Sequence, residues 1–313
     1  MPSEPVVGPF VRRVAALACC VLAFGFATPP AQALTVFACE PEWAALARVL
    51  APRASIVAAT HARQDPHQIE ARPALIAALR RADIAVCTGA SVEVGWLPML
   101  QQRAGNKRVL AGAPGMFFAA DAVELIDKPA SVDRSMGDVH AEGNPHLHLD
   151  PERLAAVASA LATRFALLDP AGATGYEQAN ADWQADWARR IDGWRERAAS
   201  LAGRGLAVQH TAFGYFWRWT GIRAVADIEP KPGLPPTLGH LQQVLGLVRA
   251  APPFAVVQTL YQDPQPGQWL AERIERPLLA LPSTVVAEGR AASLHGLFDE
   301  LFDRLAQAAG AAH

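Results

Sequence analysis

The sequence predicts an α/β protein made of two lobes, each a parallel sheet covered by helices. Three observations lead there. Short β-rich runs alternate with longer helical ones in both halves of the chain, and one long amphipathic helical stretch separates the two alternations. The third is size: 313 residues with 51% hydrophobic and 19% charged composition can bury one large core or two ordinary ones, and two lobes is the better fit.

Taken in order, the elements follow a leader. Arg12 and Arg13 precede the apolar run "VAALACCVLAFGFA", and "AQA" at 31–33 supplies the small residues of a cleavage site, so residues 1–33 read as a secretory signal and Leu34 as the first mature residue. The apolar run is short for a bilayer span, and Pro29 and Pro30 follow it. Lipid attachment through Cys19 fits poorly, because much of the apolar segment lies after that cysteine. No later segment resembles a transmembrane helix.

A first lobe over residues 34–170 then reads as the strand "LTVFAC", a helix through "EWAALARVLA", the strand "ASIVAAT", a helix from Pro73 and the strand "ADIAVCTG". Gly112 to Gly143, rich in Gly, Pro and acidic residues, reads as a loop-containing connection. It ends at "NPHLHLDPERL", where Asp150 is a natural N-cap, Pro151 suits the first helical position and "ERLAAVASALATRFALL" continues with helical periodicity. Within residues 171–202, Trp183, Trp187, Ile191 and Trp194 recur at spacings that put them on one helix face, for packing on a lobe. A second lobe over 203–313 follows, with "GLAVQH", the helix-like "FGYFWRWTG", "FAVVQT" before the turn "QDPQPGQ", "PLLAL", and a final helix near "LFDELFDRLAQAA".

The formal net charge of −2, the pI near 6.5 and the lack of any dense Lys or Arg run argue against an electrostatic nucleic-acid partner and favour a small neutral or cationic ligand. Export implies an oxidising compartment, where only Cys39 and Cys87 of the four cysteines remain after cleavage. They close two strands that, if adjacent in a parallel sheet, would end at the same edge. A disulfide and a pair of buried free thiols both fit. The spacing excludes a CxxC zinc or redox site.

Of nine histidines, three occupy equivalent places at strand ends or helix starts: His67 in "DPHQIEARP", His146 in "NPHLHLDP" and His210 at the end of "GLAVQH". Ligands of open parallel sheets collect beyond the carboxyl ends of the strands, and two of these residues come from one lobe and one from the other. Three neutral imidazoles bind zinc well and leave one tetrahedral position open, although no local spacing such as His-Glu-x-x-His proves a metal site.

"DPHQIEARPALIAALRRADIAVCTGASVEVGWLP", "GNPHLHLDPERL" and "HTAFGYFWRWTGI" resemble, in order and separation, the three metal-ligand blocks of the periplasmic metal-binding proteins of ABC transporters, and most closely the zinc branch of that zinc and manganese group. "EPKPGLPPTLGHLQQV" resembles a further segment of the family. The resemblance implies two lobes joined by a long stiff helix, for which Tyr176 to Leu201 is the candidate, with the site in the interlobe cleft. It implies His67, His146 and His210 as metal ligands, zinc rather than manganese as transported ion, an inner-membrane ABC permease as partner, a monomer in the periplasm, and no enzymatic activity.

The chain departs from that pattern in several places. Leu281 before Pro282 stands where many members place a ligating Asp, and Pro66 where some zinc members place a Glu. The fourth position is then water or a side chain among His61, His140, His148, Glu229 and Asp263. His148 replaces a usual aromatic residue; at i+2 in an extended segment it would face the same side as His146, and it is read as a packing or supporting residue. The acidic loop 121–143 carries only His140, which argues against metal capture by that loop. Glu70 and Asp150 are expected to orient ligands or cap helices. The expected function is a high-affinity periplasmic zinc receptor. The alternatives are a zinc hydrolase, with Glu229 or Asp263 as its base, and a periplasmic zinc buffer or chaperone.

Overall fold

The structure, a computed structural model, describes residues 1–3, 33–132, 136–137 and 139–310. The expected signal sequence, with Cys19, lies outside the described residues except at its ends. One compact unit spans Gln32–His313. Among the described residues, no helix is long and apolar enough to cross a membrane.

Two four-stranded sheets, all parallel, organise this unit. The first half contains β1 (Thr35–Ala38), α1 (Pro41–Leu50), β2 (Ser55–Ala58), α2 (Pro73–Arg81), β3 (Ile84–Cys87), α3 (Leu97–Ala104), β4 (Met116–Phe118) and α4 (Pro151–Leu168). Its strand order is β2-β1-β3-β4. After α5 (Ala173–Ala199) come β5 (Gly205–Val208), α6 (Gly214–Thr220), β6 (Arg223–Asp227), α7 (Leu238–Ala250), β7 (Ala255–Thr259), α8 (Pro264–Ile274), β8 (Leu278–Leu281) and α9 (Leu294–Gly310), with strand order β6-β5-β7-β8. The two halves thus repeat one topology without a sequence repeat. In each, the chain reverses its direction of addition beside the first strand, which opens a crevice at the carboxyl ends of β1 and β3 and of β5 and β7.

The central strands "IAVC" and "AVVQT" are buried along their whole length, as strands covered on both faces must be, whereas the edge strand β2 alternates between exposed and half-buried residues. One core joins both sheets through α1, α4, α5 and α9; smaller cores cover the opposite faces, under α2 and α3 in the first half and under α7 and α8 in the second. The face predicted for α5 is buried. Trp187 stacks on Trp183 at 4.7 Å and meets Phe298 of α9 edge-on at 5.5 Å, while its indole N–H donates to Pro151 O at the start of α4. Trp194 stacks on Phe298 at 4.8 Å and donates to Asp299. The long helix is therefore fastened to a helix of each half.

Three readings need correction. The connection from Gly112 to Gly143 contains β4, whose three residues follow a Gly/Pro-rich stretch too irregular to reveal a strand. β6, absent from the expected elements of the second lobe, is an edge strand in which Arg223 and Ala224, on opposite faces, are both exposed, so it shows no inside–outside alternation. "QDPQPGQ" is the start of α8: Asp263 accepts from Gln265 N at 3.0 Å as N-cap and Pro264 takes the first helical position, so the apparent turn residues are a helix-start signal.

Cys39 and Cys87 form a disulfide across the adjacent strands β1 and β3, both fully buried. Asp150 caps α4, accepting from Glu152 N and Arg153 N at 2.9 and 3.1 Å. Glu70 caps nothing: α2 starts after Arg72, without a side-chain cap.

Candidate metal site

The crevices at the ends of the two sheets face each other, and imidazoles line the space between them. His67 lies on the loop after β2, which is fixed from behind by the Trp96 indole donating to Pro66 O at 2.9 Å. His146 precedes α4. Its backbone N–H donates to Asn144 Oδ1 at 3.0 Å, and the same Asn144 side chain donates to Thr211 O of the second half at 3.2 Å. His210 lies two residues beyond the end of β5, after Gln209. Ring centroids stand 6.2 Å apart for His67 and His146 and 5.8 Å for His146 and His210.

A fourth imidazole joins them. His140 Nε2 lies 3.1 Å from His67 Nε2, close to the nitrogen–nitrogen separation of about 3.3 Å expected between two ligands on a tetrahedral zinc. The loop carrying it is tied to the first half where the Ser91 hydroxyl donates to Glu142 at 3.0 Å. A cavity of about 220 Å³ beside His140, His146 and His210 has no Lys or Arg in its lining. The site thus offers nitrogen donors without a fixed positive charge to repel a cation.

Carboxylates orient two of the rings. Asp65 Oδ1 accepts from His67 Nδ1 at 2.7 Å, and Glu229 Oε2 from His210 Nδ1 at 2.9 Å, which turns each Nε2 toward the cluster. Burial alone would raise the Asp65 carboxyl, but the hydrogen bonds from the His67 ring and backbone outweigh it and hold Asp65 below the usual carboxylate range. Burial would lower His210, yet its bond to Glu229 prevails and raises it. His146 is pushed well below the ordinary imidazole value by burial and then by the neighbouring His210 and His67, so near neutrality its lone pair is available for a metal.

His210 carries a backbone cost. Its φ of 79° lies in the left-handed region, where its own N–H is held by Asp227 Oδ1 at 3.3 Å. That conformation costs about 1–2 kcal/mol for an L-residue, whereas glycine adopts it freely. His210→Gly is therefore expected to unfold at higher urea concentration than His210→Ala, by about 1 kcal/mol in unfolding free energy. Equal stabilities would show that the backbone at 210 is unstrained.

Of the predicted candidates, His67, His146, His210 and His140 converge. Glu229 stands behind His210 and also accepts from Gly233 N and from Gln262. Asp263 is withdrawn to cap α8, and exposed His61 accepts from Arg63 N in its own turn. His148 does not share a face with His146, because residues 147–149 form a 3₁₀ turn rather than an extended segment. Its Nε2 instead donates to Ser283 O at 2.7 Å. Leu281 is fully buried, and its hydrocarbon side chain offers no donor atom. Asp65 and Asn144 were missed. The only sequence signal was their place two residues before a candidate histidine.

An α/β fold with facing crevices and a cluster of imidazoles between them is the architecture of a two-lobed metal-binding protein. Over residues 36–308 the chain matches, and belongs to, the family of the zinc-uptake complex component A, periplasmic (ZnuA). Solved structures agree in fold. ZnuA is 20% identical with a TM-score of 0.71, covering 87% of this chain and 99% of that one. A zinc-bound ZnuA deletion mutant is 21% identical with a TM-score of 0.73, covering 88% and 98%. The periplasmic zinc-binding protein TroA from Treponema pallidum is 15% identical with a TM-score of 0.72, covering 88% and 99%. No curated protein matches significantly by sequence.

Proposed function

We propose that this protein is the periplasmic receptor of a zinc importer, holding zinc through His67, His146 and His210, with His140 completing a tetrahedral set, and delivering it to an ABC permease in the inner membrane. The observation that carries this reading is the convergence of four imidazoles from both halves, two of them oriented by carboxylates. An all-nitrogen set favours zinc over manganese, which prefers oxygen donors. Residues 34–170 and 203–313 act as the two lobes and 171–202 as the connecting helix. The engagement of Glu229 with His210 and of Asp263 with α8 leaves neither as a general base, which supports a receptor over a hydrolase.

Calorimetric titration of the metal-stripped protein with zinc tests the reading. A proton on an imidazole competes with the metal, and His210 is the ring whose proton affinity is raised, so affinity is present above its folded pKa and lost as pH falls through it. Log affinity should fall as pH drops through the raised range of His210, by up to about one per pH unit, with up to one proton released per zinc bound there. A flat profile from pH 7.5 to 5 would count against imidazole ligation.

Asp65→Asn and Glu229→Gln should each weaken zinc binding about 10- to 100-fold, because the rings lose both their orientation and part of their basicity. Unchanged affinity in both variants would mean that the carboxylates serve only the loops around them.

A further inference from the structure

Behind the imidazole cluster, a second set of buried groups joins the halves directly. Glu42 on α1 is 2% exposed, His148 before α4 is 4% exposed and Ser283 beyond β8 is 8% exposed. His148 Nε2 donates to Ser283 O at 2.7 Å, and its Nδ1 lies 3.2 Å from Glu42 Oε1. The other Glu42 oxygen accepts from the Thr284 hydroxyl, which closes a ring of contacts between α1, the turn before α4 and the segment after β8. His146 and all four of these residues line one small cavity of about 30 Å³, so the ring lies next to the cluster without being part of it.

A buried carboxylate and imidazole are costly to desolvate unless each has partners, and here each has one from the opposite half: Ser283 O for His148 and the Thr284 hydroxyl for Glu42. Separating the halves would break the His148–Ser283 and Thr284–Glu42 hydrogen bonds together, and would have to hydrate groups that are now buried. The arrangement therefore resists widening of the cleft whether or not an ion is bound.

We propose that Glu42, His148 and Thr284 form a clasp that sets the width of the cleft, with His148 as a positioning residue rather than a metal ligand. The clasp holds His67, His140 and His146 of the first half opposite His210 of the second in the metal-free protein. Release of an ion then requires the clasp to open. This last consequence rests on the zinc-receptor reading, but the control of cleft width does not.

The test measures cleft width without metal. Spin labels are placed at exposed Val94→Cys and Leu238→Cys, one on each half, with Cys19 and Cys20 changed to serine and Cys39 and Cys87 left bonded. The distance distribution of the metal-stripped protein should shift or broaden by more than about 2 Å in His148→Phe, which keeps an aromatic ring but loses the bond to Ser283 O, and in Thr284→Val. His148→Gln, which retains a donor for Ser283 O, should stay near the parent. Zinc loaded on the first two variants should dissociate to a chelator about tenfold faster. Unchanged distances in both His148→Phe and Thr284→Val would overturn the clasp, and Thr284→Val alone decides if His148→Phe does not fold. If the distances shift but the parent binds no zinc, the clasp stands and the receptor reading falls.

Discussion

Titrated with zinc after removal of metal, His67→Ala, His146→Ala and His210→Ala will each bind about a thousandfold more weakly than the parent chain, a loss of about 4 kcal/mol. The effect should exceed the 10- to 100-fold expected for the orienting carboxylates, because removing a donor nitrogen deletes a bond rather than misaligning it. His140→Ala should lose less, since water can occupy the position it leaves. His61→Ala should bind like the parent, because that ring is exposed and already accepts from Arg63 N. The four rings lie in both halves, so deletion on either side must register: a variant set in which only the first-half histidines matter would exclude a shared interlobe ion. Silence of all three substitutions would remove the receptor assignment while leaving the fold and family untouched.

The second large effect is on stability. Replacing both Cys39 and Cys87 with alanine should lower the unfolding free energy by about 4 kcal/mol, as the chain-entropy account gives for a crosslink closing 48 residues. The bond joins β1 to β3 immediately before Glu40 and Thr88, and Thr88 donates to both Glu40 and Glu93. Those carboxylates are buried. Desolvation is the largest cause raising Glu93, to about 7, and burial likewise pushes Glu40 well above its usual range. Local loosening after loss of the crosslink would admit water to them and ease part of that burden, so a loss well short of the entropic value would locate the difference there. Urea titration of the oxidised, reduced and Ala/Ala proteins separates the crosslink from the loss of sulfur packing. Identical midpoints in all three would show that the bond contributes nothing.

What could be read in the sequence follows from what is periodic. The tryptophans of α5 repeat at helical spacing and the buried strands are continuous apolar runs, so helix, strands and lobes were visible. β4 and β6 were not, because a three-residue strand and an exposed edge strand leave almost no pattern. At the site, strand-end placement located His67, His146 and His210. The place of His140 was not legible, since a loop residue is brought to the cluster by tertiary contacts such as Ser91 with Glu142. Orientation was equally hidden. His148 was placed beside His146 by an extended-chain argument, and the 3₁₀ turn at 147–149 rotates it away toward Ser283.

The left-handed backbone at His210 also bears on how this chain would respond to selection. Among replacements that discard the ring, glycine is the one this backbone accepts without strain, so a population that had lost the need for the imidazole would drift toward glycine rather than alanine. Histidine persists here only while its bond to Glu229 and its place in the cluster outweigh the strain. The residue found at position 210 therefore reports whether the ring is still in use.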